Sequence, residues 1–337
     1  MLTDKKVLVT GCAGFLGPWV TELLLELGVD VVGLDKVYPQ NSRIHSVQKK
    51  FADAAGAHLE LVKVNIENFE ATSDVIEKHK IGVIFHLAAQ ALVGEANREP
   101  AATFASNILG TWNIMEAVRL LKEGGQDIGA VVVASSDKAY GDQENLPYLE
   151  DAPMQGRFPY DVSKSCADLI ARSYFNSYRL PVCITRCGNL YGGGDLNFSR
   201  IVPGTIASVL AGEAPRIRSD GTPVRDYIYV RDAARANIAI AARMLQDNAV
   251  HGEAFNISND APVSVLDMVN LILTLMKRED LSPVVEGIAT REIQAQYLSS
   301  DKIRAMLGWS PEFELSDGLA RAIAWYREFL GAKAPVA

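Results

Sequence analysis

Residues Lys6 to Gly17 read KVLVTGCAGFLG, and the segment from Thr10 onward, TGCAGFLG, decides how the chain is built. A short apolar run of β character meets glycines at positions 11, 14 and 17, and a helical pattern, FLGPWVTELLLELG, opens at once. So tight a turn needs backbone conformations that a Cβ disfavours, and an anionic group reaches main chain only where side chains are absent. The amides opening the helix then face the anion, aided by the helix dipole. Gly11, Gly14 and Gly17, with Phe15 and Leu16 between them, are therefore candidates to hold the pyrophosphate of a dinucleotide. The alternative is a tight structural turn; the strand before the motif and the helix after it favour the ligand.

Outward from this loop, apolar runs rich in Val, Ile and Leu (VDVVGLD, LELVKV, VIFHLAA, AVVVASS, PVCITRC) alternate with stretches of helical period. Continuous apolar strands separated by helices are what a parallel sheet covered on both faces requires. The expected fold is α/β, a Rossmann-type doubly wound parallel sheet over residues 1–187. After Gly188 the alternation fades and Gly, Pro and Arg become frequent, so residues 188–337 are expected to form a smaller mixed lobe for the substrate, some segments of which cross back.

Bulk properties exclude several classes. A net charge of -8 leaves no basic face for nucleic acid. The four cysteines form no CxxC pair, and no histidine stands at metal-ligand spacing from them, so no metal is expected. No apolar stretch approaches the roughly 18 residues of a membrane span, and MLTDKKVLVT runs straight into a strand pattern without a signal-peptide core. A cytoplasmic location with reduced thiols is the expectation.

Asp35 ends the second strand pattern, 18 residues after Gly17, where an acid can hydrogen-bond the adenosine ribose. It would repel a 2'-phosphate and so favours NAD over NADP. The adjacent Lys36 works against that preference, and a plain strand-end turn is the alternative for Asp35. Asn65 and Ile66, after the third strand, are candidates to flank the adenine; His86 reads as a packed histidine.

PYDVSK places Tyr160 and Lys164 one helical turn apart on one face. A phenol of ordinary pKa near 10 is a poor base at neutral pH, and a neighbouring ammonium and a nicotinamide cation would lower it. The tetrapeptide SSDK occurs twice. Ser299–Lys302 precedes IRAML and Gly308, an N-cap, a short helix capped by Ser300 or Asp301, and a glycine stop. Ser135–Lys138 instead ends a strand just ahead of the tyrosine.

TGCAGFLG, HLAAQ, ASSDKAYG, PYDVSK and RCGNLYGGGD, in that order, resemble the extended short-chain dehydrogenase/reductase family acting on nucleotide sugars, from about Val7 to the end of the chain. The resemblance implies NAD as cofactor, with Leu87, Ala88, Ala89, Gln90, Asn107 and Ser135 joining the loop residues, Tyr160 and Lys164 around it. It implies that Ser136 hydrogen-bonds the sugar hydroxyl being oxidised, that Tyr160 removes its proton, and that Lys164 holds the nicotinamide ribose. Sugar 4-epimerases of the family usually carry small or apolar residues after this serine, whereas 4,6-dehydratases carry an acid then a base, Asp then Lys in the CDP-glucose group. Asp137 and Lys138 fit the latter, Asp137 as acid to the C6 hydroxyl and Lys138 as base to the C5 proton; a solvated turn is the alternative. Lys138 must then shed its proton, which burial beside Lys164 would favour.

Asn189, Arg225 and Arg291 match positions that contact the diphosphate, and Arg200 lies where a second-lobe contact is expected, since a guanidinium fork suits paired phosphate oxygens. Where relatives carry a VxxS pattern after HLAA, this chain has Val93 and Ala96, and RDYIYV is nearer the epimerase pattern. A 4-epimerase therefore remains the alternative, with a noncatalytic NAD-binding protein a remote third. Helices over Pro100–Leu121 and Tyr160–Tyr178 carry apolar positions on more than one face, and relatives pair through them, so a homodimer is expected.

Overall fold

A computed structural model describes residues 1–52, 56–288 and 293–331. Seven strands form one parallel sheet: β1 (Lys6–Thr10), β2 (Val31–Asp35), β3 (Leu59–Lys63), β4 (Ile81–His86), β5 (Ala130–Ala134), β6 (Val182–Cys187) and β7 (Ala254–Ile257). Their order is β7-β6-β5-β4-β1-β2-β3. Every residue of β4, β6 and β7 is buried, which accounts for runs of apolar sequence without polar alternation. Alternate residues serve opposite faces: Val7 and Val9 enter one core, with Val20, Leu24 and Ala233, while Leu8 enters the other, with Ile76, Ile114 and Ala171. The order reverses between β1 and β4, so a crevice opens there at the strands' carboxyl ends.

The sheet is completed by late sequence. β7 and the helix Val230–Met244 both follow residue 188, and that helix packs on Gly17–Glu26. The rest of the later chain adds short strands, Val224–Arg225 lying between Val263–Ser264 and Ala295–Gln296, and the helices Ile201–Leu210, Val265–Met276 and Leu315–Phe329. Its apolar residues Ile206, Ile272 and Leu319 belong to the same continuous core as Val7 and Val9. Among the described residues no helix is long and apolar enough to cross a membrane.

Two local expectations are corrected. The second SSDK does open a helix, Asp301–Leu307, stopped by Gly308 at φ +67°. Its side-chain cap comes from neither Ser300 nor Asp301: Ser299 Oγ accepts from the Asp301 amide at 3.2 Å, while Ser300 Oγ is engaged with the Ser258 main chain. The helix expected over Pro100–Leu121 is interrupted by a π-turn at Ala105–Leu109. There Thr111 Oγ donates to Asn107 O at 2.7 Å, and the Asn107 side chain is drawn away to Gln90.

Candidate active site

The glycines of the first loop have separate duties. Gly11 stands at φ +72°, and a Cβ on it would lie 2.7 Å from the Ala88 nitrogen; one on Gly17 would lie 2.2 Å from Gly11 O. Both are required by the chain's own backbone. A Cβ on Gly14 would meet Gly11 O at 3.2 Å, a milder conflict than at the other two. Asp35 Oδ2 accepts from the Ala13 amide at 3.0 Å, fixing the acid against this loop, and burial raises its pKa. Lys36 is exposed beside it. Asn65 Oδ1 caps its own turn at Glu67 N, and Ile66 is buried under Gly110.

The loop after β4 is sewn to its neighbours. The Leu87 amide donates to Thr10 O and the Ala88 amide to Thr10 Oγ. Asn107 Oδ1 accepts from the Gln90 amide at 2.7 Å, and its Nδ2 donates to Gln90 O and to Ser163 Oγ. The π-turn thus ties the loop Leu87–Ala88–Ala89–Gln90 to the helix that carries Tyr160. Ser163, invisible as a candidate in sequence, is the tie point, and it donates in turn to Tyr160 O.

His86 is the packed histidine expected, its ring nitrogens 2.9 Å from Thr10 Oγ and 3.0 Å from Thr111 Oγ. Burial first, then the Lys164 charge, push its pKa down to about 3. Its folded value lies below the unfolded 6.5, so its contribution to stability is complete above pH 6.5 and lost as pH falls through 3. Acid unfolding should therefore lose up to about 1.4 kcal/mol per pH unit over that window from this residue alone. In His86→Gln, urea midpoints measured from pH 6.5 downward should show a shallower slope.

Tyr160 and Lys164 lie on the helix Pro159–Tyr178, opened by its proline at the first position. Ser136 follows β5 and caps a 3₁₀ turn, Asp137–Tyr140. Its Oγ accepts from the Lys138 amide at 3.2 Å and donates to Asp137 Oδ1 at 3.0 Å; Lys138 Nζ pairs with Asp137 Oδ2 at 2.8 Å. The Asp137 carboxylate is almost wholly buried and the Lys138 side chain partly so, so the pair is no solvated turn. Ser135 Oγ reaches Lys164 O at 3.4 Å.

Burial governs the charge of both Tyr160 and Lys164. Burial carries Tyr160 up to about 12, against the pull of the Ser136 hydroxyl and the Arg200 charge. Lys164 Nζ donates to Ala134 O at 2.6 Å, and burial lowers that ammonium to about 8. Desolvation therefore acts on both groups in the direction that removes charge.

In the second lobe, the Asn189 amide donates to Asp226 O at 2.8 Å, Arg225 is buried with Nη1 on Val224 O, and Arg200 pairs with Asp195 at 3.0 Å. Arg291 lies outside the described residues. Val93 is exposed at the start of a short helix, and Ala96 is buried within it. Sequence reasoning passed over Asp226, whose buried carboxyl rises to about 7 while it accepts from the amides of Leu298 and Asn259. Gln296 was passed over as well, and so was the fully buried pair Arg186–Asp168. Among the described residues no cluster could hold a metal ion, and all four cysteines are free.

A family model described as GDP-mannose 4,6 dehydratase matches residues 8–322. The chain belongs to this family. Its members are extended short-chain dehydrogenases/reductases, and the similarity runs through both lobes. A CDP-glucose 4,6-dehydratase from Salmonella typhimurium is 30% identical over 97% of this chain and 91% of the relative. Two solved structures at 26% identity share the architecture. One is a dTDP-glucose 4,6-dehydratase from Bacillus anthracis in complex with NAD, with a TM-score of 0.82 over 96% of this chain and 97% of that one. The other is a UDP-glucose 4-epimerase with UDP-glucose from Thermotoga maritima, with a TM-score of 0.84 over 96% and 99%. Backbone similarity therefore does not separate dehydration from epimerisation, and the side chains must.

Proposed function

We propose that the protein is an NAD-dependent nucleotide-sugar 4,6-dehydratase acting on a CDP-glucose-like substrate. The observation that carries this is the Asp137–Lys138 pair, its carboxylate buried beside Ser136 and joined to the partly buried amine at 2.8 Å. A proton passed along that contact from Nζ to Oδ2 creates a neutral acid and a free amine together, the two partners that elimination needs. NAD would be held by the loop of Gly11, Gly14 and Gly17 beside Asp35, and when bound it would supply the acceptor and donor of the hydride exchanged between C4 and C6.

The chain's own groups do the rest. Ser136 orients the C4 hydroxyl, and Tyr160 accepts its proton, helped by the charge of Lys164. With C4 a ketone, Lys138 removes the acidified C5 proton while Asp137 protonates the departing C6 hydroxyl. Asn189, Arg225 and Arg291 are assigned to the nucleotide diphosphate, an anchor remote from the reacting carbons, and Arg200 to a further contact from the second lobe. A noncatalytic role is disfavoured by the presence of both Tyr160 and Lys164.

The test is incubation with CDP-, dTDP-, UDP- and GDP-glucose, with products read by mass spectrometry. Loss of one water, with deuterium entering C5 from D₂O, is expected; a C4 epimer of unchanged mass would overturn the assignment in favour of the epimerase.

We further infer a cytoplasmic homodimer. The helices Gly110–Glu123 and Pro159–Tyr178 pack side by side and leave Trp112, Leu120, Leu169 and Tyr178 exposed, with Trp112 and Leu120 lining a surface cavity of about 780 Å³. Light scattering should give twice the chain mass, and Leu169→Asp should shift it toward the monomer. A monomeric wild type would contradict this.

A further inference from the structure

Gln296 lies on the short strand Ala295–Gln296 of the second lobe and is fully buried. Its side chain leaves that lobe's sheet and ends at the catalytic turn: Nε2 donates to Asp137 O at 3.2 Å and to Gly141 O at 3.3 Å. These carbonyls bracket the 3₁₀ turn that displays Asp137 and Lys138. Exchanging the amide's oxygen and nitrogen would set Oε1 against both carbonyls, so its orientation is fixed by chemistry. Oε1 is buried and finds no donor among the described residues. A glutamine in such a slot is accounted for by its two N–H donors.

The strand that supplies Gln296 lies beside the strand of Arg225, the residue assigned above to the substrate diphosphate. Gln296 pairs in parallel register with Arg225, so the two side chains leave the same face of their strands. The following residues close onto the same loop: the Tyr148 amide donates to Tyr297 O at 2.9 Å, and the Ser299 amide to Tyr148 O at 3.1 Å.

We propose that Gln296 is a positioning residue for elimination, holding the main chain of Asp137 so that the Asp137–Lys138 pair meets C5 and C6 once Arg225 has engaged the substrate. The proposal rests on the dehydratase reading above. It assigns Gln296 no contact with substrate and no part in C4 oxidation, which belongs to Ser136, Tyr160 and Lys164. The two half-reactions should therefore respond differently.

The experiment compares wild type, Gln296→Met and Tyr148→Phe with the NDP-glucose that the wild type turns over. Reduced nicotinamide formed in a single turnover reports C4 oxidation, and dehydrated product with deuterium at C5 reports elimination. Thermal midpoint and NAD affinity serve as checks on the fold. In Gln296→Met, elimination is expected to fall on the order of 10- to 100-fold, with C4 oxidation, KM and NAD affinity held within about twofold of wild type. Tyr148→Phe removes the other donor to Gly141 O, at 3.1 Å, but none to Asp137 O, and should retain both steps. Equal losses in both half-reactions, unchanged elimination in Gln296→Met, or the same split in Tyr148→Phe would overturn the proposal. A wild type that loses no water would defeat the dehydratase reading itself, whereas one that dehydrates beside a fully active Gln296→Met would defeat this inference alone.

Discussion

In Asp137→Asn and Lys138→Ala, formation of the 4-keto-6-deoxy product is expected to fall by about 10²–10⁴-fold, the range lost with a positioned acid or base, while C4 oxidation continues. The expectation follows from how the groups are held. Asp137 is fixed through both carboxylate oxygens, one by Ser136 Oγ and the other by Lys138 Nζ, and neither contact involves Tyr160. Removing the amine leaves a buried carboxylate without its cation; removing the acid leaves an ammonium with no carboxylate to take its proton and no acid to serve C6. Either variant should therefore accumulate reduced nicotinamide with a 4-keto sugar, visible in a rapid-mixing trace. Both variants should also lose exchange of C5 hydrogen with D₂O, Lys138→Ala because the amine is gone and Asp137→Asn because the carboxylate that takes the Nζ proton is gone. Both variants forming product at the wild-type rate would exclude these roles and leave reversible oxidation at C4 as the chemistry of the site.

Much of this centre is legible in the sequence because it is local. The phosphate loop is one contiguous turn, Tyr160 and Lys164 are one helical turn apart, and Ser136, Asp137 and Lys138 are adjacent. The sheet was readable for a similar reason, since β1 to β6 arrive as apolar runs between helical periods. What escaped is what depends on distant chain. β7 lies 67 residues after β6 ends, in a region where the alternation had lapsed, and AFNI in isolation is too short to announce an edge partner for VCITRC. Gln296 carries no motif and gains meaning only from two carbonyls about 160 residues earlier. The π-turn at Asn107 was hidden because the apolar period of Pro100–Leu121 is compatible with an unbroken helix; hydrogen bonds to Gln90 and Ser163 override it. Tyr160 shows the limit for electrostatics: sequence places a cation one turn away but says nothing of the burial that dominates the phenol.

Arg186→Met should destabilise the protein by about 3–5 kcal/mol, the usual consequence of leaving one member of a buried ion pair without its partner. Arg186 is fully buried at the end of β6, and its guanidinium makes a bidentate contact with Asp168 at 2.8 and 3.0 Å. It also donates to Tyr140 Oη and Glu150 O, each at 2.8 Å, and lies over the Tyr140 ring. Tyr140 Oη passes a hydrogen bond on to Asn256 on β7 at 2.7 Å. Asp168 sits one turn beyond Lys164 on the helix Pro159–Tyr178, and Tyr140 closes the turn that Asp137 opens, so a single cation joins the two segments to which the chemistry is assigned to the two strands behind them. Urea unfolding of Arg186→Met should show the lowered midpoint, and Asp168→Leu a comparable loss. The double variant should lose much less than the sum, because no buried charge is then left alone. Additive losses would mean that the pair is not coupled. A double variant that regained stability but not turnover would separate the pair's two effects, showing that Arg186 and Asp168 hold Tyr140 and Lys164 in catalytic register as well as keeping the core folded.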